Sequence, residues 1–302
     1  MREKYFGLYT TGKIPDRNKP TLESIRKSRF EKIETPFHDL SELPPNAFEQ
    51  KTIDECFRAL KQFCDAIDEP DVPMPKPNQI HILPSMEYHR LLEKVGEDQA
   101  RSRAEQTNGM VHKGHIYLKK LLDQNRFAVV LPHEVAHVVS FQSEHVAFSW
   151  KGVERTDRQI GSQFLTKPKD GEALFSGVHE IQTEMFAMGI RHLMDFSSLG
   201  LKDDPQLHNP SAYLTHFIVW TALLKEIYTA EHGLGYWMTM SNKDLLRGTY
   251  RVLKAMETKN KGTVKILAAM GSEPEDALEA AQALGLDQET IDTIKQLLET
   301  LE

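Results

Sequence analysis

The sequence predicts an α+β protein, predominantly helical, with a small antiparallel or mixed sheet packed on one buried helix. Most of its long periodic segments repeat apolar residues at the 3.6-residue spacing of amphipathic helices. Only two short runs, Gln79–Leu83 and Met110–Lys119, read as strands. The helical segment from Phe127 to Phe141 is uncharged at Val130, Leu131, Val135, Ala136, Val138 and Val139, which marks a buried helix.

The bulk numbers narrow the class. At 302 residues, 40% hydrophobic and 27% charged, the chain can build one large domain or two small ones. The expected divisions are an N-terminal region 1–75, a central domain 76–240 and a C-terminal helical region 241–302. The longest near-continuous apolar run, Phe217 to Leu224, is too short to span a bilayer, so no membrane partner is expected. Met1 to Gly7 runs into Thr10, Lys13 and Asp16 without the apolar stretch of a secretory signal. Cys56 and Cys64 fall in a helical pattern, as reduced, buried thiols would. The expected location is the cytoplasm.

The net charge of -7 is unevenly spread, basic in residues 1–35 and acidic in 272–302. A basic arm could touch nucleic acid. It lacks the interleaved aromatics of a stacking platform, so it reads as a solvated arm and no nucleic-acid partner is expected.

Residues 1–45 show no periodicity and end at Pro44-Pro45. From Ala47 to Asp68, Ile53, Phe57, Leu60, Cys64 and Ile67 form one helical stripe, with Asn46 and Glu49 placed for a capping box. Pro70, Pro73, Pro75 and Pro77 then force an extended linker. After the strand 79–83, Ser85 caps a helix that stops at Gly96, and Glu97–Asn108 reads as loop or frayed helix. Met110–Lys119 is a hairpin turning at Lys113-Gly114. Gln142–Phe175, polar and glycine-bearing, reads as a long loop. Further helices are expected from Ser176, after Asn209-Pro210 (Ser211–Ala230), and after Ser241 with Asp244 in its capping box. A final pair starts at Ser272-Glu273-Pro274 and at Asp287, divided by Gly285.

The chemistry concentrates in His133-Glu134-Val135-Ala136-His137. Four residues apart on a helix, the second histidine is turned about 40° from the first, so both imidazoles reach one ion. Neutral imidazole is a good zinc ligand. Glu134 lies to the side, where it can take a proton from zinc-bound water without binding the metal. Pro132 poses a conformational question. Either the helix begins near it, leaving His133 near a helix end, or it begins near Asp123 and passes through.

A catalytic zinc needs a third protein ligand and an open position. Ser140 and Ser143 stand where the metzincin pattern needs glycine and histidine, which excludes that class, and His145 lies two residues beyond the required place. Glu154 and Asp157 lie in the predicted loop, a poor scaffold for a precise site. Glu180 and Glu184, one turn apart on a predicted helix, suit a ligand and an acceptor that orients a zinc histidine. Cys56 and Cys64 lack the glycine-bearing loop of a deformylase ligand.

With His133-Glu134-x-x-His137 on one helix and Glu180, Glu184, Phe186 and Ala187 on a later one, the chain resembles the gluzincin zinc metallopeptidases, of the minigluzincin kind. The resemblance covers about residues 79–195. It implies a zincin-like core, one Zn2+ per chain, and a peptide or protein substrate. It implies His133, His137 and Glu180 as ligands, Glu134 as base, and Glu184 as the orienting partner. His115–Leu118 resembles the family's substrate-pairing edge strand. The family's oxyanion-stabilising tyrosine or histidine has candidates in Tyr213, His216 and His208, though each also suits an ordinary surface or core role. His112 and His115 read as hairpin side chains, and Tyr213, Phe217 and Trp220 as core. The alternative to an enzyme is a zinc-binding regulatory or protein-interaction module with a weakly active site. Retention of Glu134 favours the enzyme, because a structural zinc needs no base.

Overall fold

The computed structural model describes residues 6–11, 37, 39–95, 107–112, 114–121, 123–149, 152–161, 163–165, 173–202, 204–208 and 213–301. In chain order, strand β1 (Phe6–Thr11) precedes helix α1 (Ala47–Ala66), strand β2 (Ile80–Leu83) and helix α2 (Ser85–Val95). The hairpin β3 (Gly109–His112) and β4 (His115–Lys119) leads into helix α3 (Gln124–Val139). Strands β5 (Gln142–Ser149), β6 (Gly152–Ile160), β7 (Gln163–Leu165) and β8 (Ala173–Leu174) follow. Then come α4 (Ser176–Leu193), α5 (Pro205–His208), α6 (Leu214–Glu226) and α7 (Leu234–Arg247). The last are α8 (Arg251–Lys259), α9 (Thr263–Ala269), α10 (Pro274–Leu284) and α11 (Gln288–Leu301). The protein is thus α+β and predominantly helical. It forms two compact units, one of Pro20–Val139 with Ala187–Asn209, the other of Met1–Lys19, Ser140–Phe186 and Pro210–Glu302. The division falls inside α4, which is one continuous helix.

In the unit that holds α3, the local signals decide most elements. The Asn46 side chain accepts the Glu49 N–H at 2.9 Å and Glu49 accepts the Asn46 N–H at 2.8 Å, closing the capping box that starts α1. Ile53, Cys56, Leu60 and Cys64 form its buried stripe, and both thiols are free. The small sheet has the order β2-β4-β3, with β2 parallel to β4 and β3 antiparallel to it. A parallel pair needs a crossover, here carried by α2. Tyr117 of β4 packs with Leu83, Tyr88, Leu91 and Leu92 on the α2 side. The opposite face, with Ile116 and Leu118, is left to α3, which packs on β3 and β4.

This order corrects one expectation. His115–Leu118 belongs to the central strand, and the edge strands are β2 and β3. The Leu43 N–H bonds the Ile82 carbonyl at 2.8 Å on the outer side of β2. Among the described residues, no strand pairs with the outer side of β3.

The other unit holds a five-stranded sheet of order β1-β5-β6-β7-β8, with β1 parallel to β5 and the other pairs antiparallel. Two expectations fall here. Part of the supposed irregular arm is strand β1, and much of the supposed long loop is β5 to β8. Gln142-Ser143-Glu144-His145 and Glu154-Arg155-Thr156-Asp157-Arg158 carry no apolar alternation, so their strands leave no hydrophobic signal. Ala147 pairs with Arg155 and Phe148 with Val153, which leaves Glu154 as the extra residue of a bulge.

Helices build this unit's core. Val219, Trp220, Leu223 and Leu224 of α6 pack with Val178, Ile181 and Met185 of α4 and with Val252, Met256, Leu267, Ala281 and Ile294. Trp220 is fully buried and Phe217 packs against the cluster, the core role expected of both. Helix α6 starts at Leu214, later than the expected Ser211; residues 209–212 lie outside the described set. Ser241 caps nothing: it is buried inside α7, which began at Leu234. Asp244 instead serves the next helix, where its carboxylate accepts the Val252 N–H at 2.9 Å, Arg251 Nε at 2.9 Å and the Thr249 hydroxyl. The final pair is as expected, with Glu273 at the cap of α10 and Gly285, φ +66°, ending it. Among the described residues, no helix is long and apolar enough to cross a membrane.

Candidate metal centre

Helix α3 starts where Asp123 caps it, its carboxylate accepting the Asn125 N–H at 2.9 Å. It runs unbroken to Val139 with Pro132 inside, which answers the question Pro132 posed. His133 is well within the helix, more than two turns from its start. Proline cannot supply the N–H that the Ala128 carbonyl would receive in a regular helix. Nearby, the fully buried Arg191 of α4 directs Nη1 to the Val129 carbonyl at 3.4 Å. The burial of Phe127, Ala128, Leu131, Val135, Ala136 and Val139 fixes the helix by its apolar surface, and that decides which way its polar residues point.

His133 and His137 are both half-buried, and their Nε2 atoms stand 3.2 Å apart with the rings nearly perpendicular at 81°. Two nitrogens held about 2.0–2.1 Å from one tetrahedral ion are about 3.3 Å apart, so the pair already has the bite of a chelate. Glu180, on α4, is the third member: the ligand atoms of His133, His137 and Glu180 all lie within 4.8 Å of one another. Two imidazoles and a carboxylate are a donor set suited to zinc, with a fourth position left over. Among the described residues, this is the one His/Cys/Asp/Glu cluster that can hold a metal ion.

The start of α4 is tied down within its own unit. The Phe175 N–H bonds Ala268 O at 3.0 Å, and the Gly177 N–H bonds Met270 O at 3.1 Å. Gly177 must lack a side chain, since a Cβ would lie 2.2 Å from Gly271 O. His216 Nε2 donates to that same carbonyl at 3.1 Å, and its Nδ1 lies 3.3 Å from Thr215 Oγ1. Burial holds His216 below the ordinary imidazole range, outweighing the Gly271 carbonyl and the nearby carboxylates of Asp276, Glu180 and Glu273. A neutral ring with both nitrogens engaged is an anchor for this corner. Glu184, one turn past Glu180, is buried at 1% exposure.

The other expected positions separate. Tyr213 is half-buried, caps α6 in the left-handed region at φ 59°, and packs its ring edge-on to His216. His208 lies against His192 and Phe196. Glu154 and Asp157 sit in β6; their side chains lie outside the described set. His112 and His115 face each other across the β3–β4 hairpin. His115 Nδ1 is 2.7 Å from His81 Nε2, and His81 Nδ1 is 2.8 Å from Glu42 Oε1. Burial chiefly, with the His81 ring beside it, pushes His115 down to about 4.

No local pattern singles out Gly109. This first residue of β3 lies against Glu134: a Cβ there would be 2.7 Å from Glu134 Cγ and 2.8 Å from Oε1. Asn108-Gly109 reads as a turn in any sequence, and only the fold brings it to the motif. Comparison with family models, curated proteins and solved structures finds no match to this chain.

Proposed function

We propose that the protein is a zinc-dependent metallopeptidase of gluzincin type that hydrolyses peptide bonds. The observation that carries this is the clustering of His133, His137 and Glu180 around a motif that also supplies Glu134. His133, His137 and Glu180 hold the ion. When bound, zinc supplies a Lewis acid that acidifies water and polarises a carbonyl. Glu134 accepts the proton of the attacking water and returns it to the leaving amine, the work of a general base that then turns acid. Its burial, 7% exposure, keeps bulk water from competing for that proton. Glu184 orients a histidine ligand by accepting its second ring N–H. A peptide substrate is favoured by the outer edge of β3, whose main-chain groups can pair with an extended chain. Of the three oxyanion candidates we retain Tyr213, since His216 is engaged by Gly271 and His208 by ring packing.

The test is cleavage of a peptide library by the purified chain, with and without a chelator, beside Glu134→Gln. Cleavage that chelation abolishes and zinc restores is expected, and Glu134→Gln loses about 10²–10⁴-fold while keeping its metal. Absence of cleavage from a zinc-loaded chain would overturn the assignment.

A further inference from the structure

We infer that Gly109 is a positioning residue for Glu134: the missing side chain on β3 opens the slot that the carboxylate arm occupies. The claim rests on the proposed role of Glu134 as base, and its geometry is independent of that role. A Cβ on Gly109 would meet three atoms of the same side chain, Cγ at 2.7 Å, Oε1 at 2.8 Å and Cδ at 2.9 Å. Separations under 3 Å force one partner to move. Backbone conformation does not require this glycine. Gly109 has no positive φ and pairs in register with Leu118 as an ordinary strand residue. Glycine in a strand weakens it and packs nothing. What the position requires is space.

Neither partner can easily yield. The Asn108 carbonyl accepts the Lys119 N–H at 2.9 Å, which pins the start of β3 to β4. With its amide oxygen turned toward Arg126, the Asn108 side chain accepts from Nε at 3.2 Å and Nη2 at 3.1 Å. Arg126 belongs to α3, so the helix that carries Glu134 also holds the strand facing it. Glu134 is nearly buried, so a displaced carboxylate has few rotamers to take. A Cβ at 109 therefore drives the carboxylate off its place, and a displacement of about 1 Å can cost about 10²-fold in rate.

The experiment is a melting cycle joined to kinetics, using the zinc-loaded full chain, Gly109→Ala, Glu134→Ala and the double variant. Gly109→Ala alone should retain zinc, lower the melting temperature by a few degrees, and lose about 100-fold in kcat with KM little changed. In the Glu134→Ala background the obstructing atoms are gone. There Gly109→Ala should raise the melting temperature, as glycine replacement does where the backbone permits it. Equal shifts in both backgrounds, or full kcat in Gly109→Ala, would overturn the proposal. Should Gly109→Ala fail to fold, a folded double variant still supports the contact and an unfolded one refutes it. The melting cycle is independent of turnover. An inactive native chain would sink the peptidase assignment, while the reversal of sign would still decide the contact.

Discussion

Glu180 and Glu184 lie one turn apart on α4, and burial divides them: Glu180 is half-buried among ligand atoms, Glu184 is closed off at 1% exposure. Neighbouring carboxylates of one helix thus meet different surroundings. The accessible one can reach an ion, and the enclosed one can act only on groups packed against it. Glu180→Ala should lose most of its zinc, because two histidines alone hold the ion poorly. Glu184→Ala should keep zinc with affinity about 10–100-fold weaker, the usual cost of removing an orienting acceptor. Competition with a chromogenic chelator measures both. The reverse order would exchange the two roles.

The histidine chain behind the small sheet gives a prediction about pH. His81 Nδ1–H donates to Glu42, and His81 Nε2 lies 2.7 Å from His115 Nδ1. His115 is buried at 2% exposure and its pKa falls to about 4, with His81, Glu42 and His112 as its charged or titratable neighbours. The unfolded chain takes up this proton near pH 6.5 and the folded chain only near 4. Between these values the unfolded state binds more protons, so stability falls as pH falls. Above about 6.5 this contribution is fully present. Melting curves across pH 4–7 should show a shallower slope for His115→Gln than for the native chain. Parallel slopes would contradict the burial argument.

Two left-handed glycines separate conformational cost from steric cost. Gly248 and Gly285 have φ of +59° and +66°, but a Cβ on Gly248 would lie 2.1 Å from Phe141 Cδ1, while Gly285 has open space. Gly285→Ala should cost about 1–2 kcal/mol, the left-handed penalty alone. Gly248→Ala should cost clearly more, because Phe141 must also move. Denaturant unfolding of the two variants measures the difference, and equal values would show that Phe141 yields freely.

The sequence made α3, its motif and the helical termini legible because each rests on local chemistry. Asn46 with Glu49, Glu273 with Pro274, and Gly285 sit where their caps need them. Strands β5 and β6 stayed hidden because their residues are polar and held by pairing, and hydrophobic alternation is the signal by which a strand is found. Ser241 misled for a related reason: a serine before Asp244 resembles a cap, yet the buried face of α7 passes straight through it. The central place of β4 depends on a parallel partner more than 30 residues earlier, which no local pattern encodes. The ligand cluster lay between these extremes. Helical spacing marked His133 and His137, whereas Glu180 needed a family resemblance, and Gly109 needed the fold.

The proposed function requires that His133, His137 and Glu180 hold one catalytic zinc. Its most direct test is a crystal structure of the zinc-loaded chain with anomalous scattering recorded at the zinc edge. One zinc per chain is expected, with His133 Nε2, His137 Nε2 and a Glu180 carboxylate oxygen at about 2.0–2.2 Å and one position left to solvent. A protein that takes up no zinc, or an ion bound away from these three residues, would contradict it.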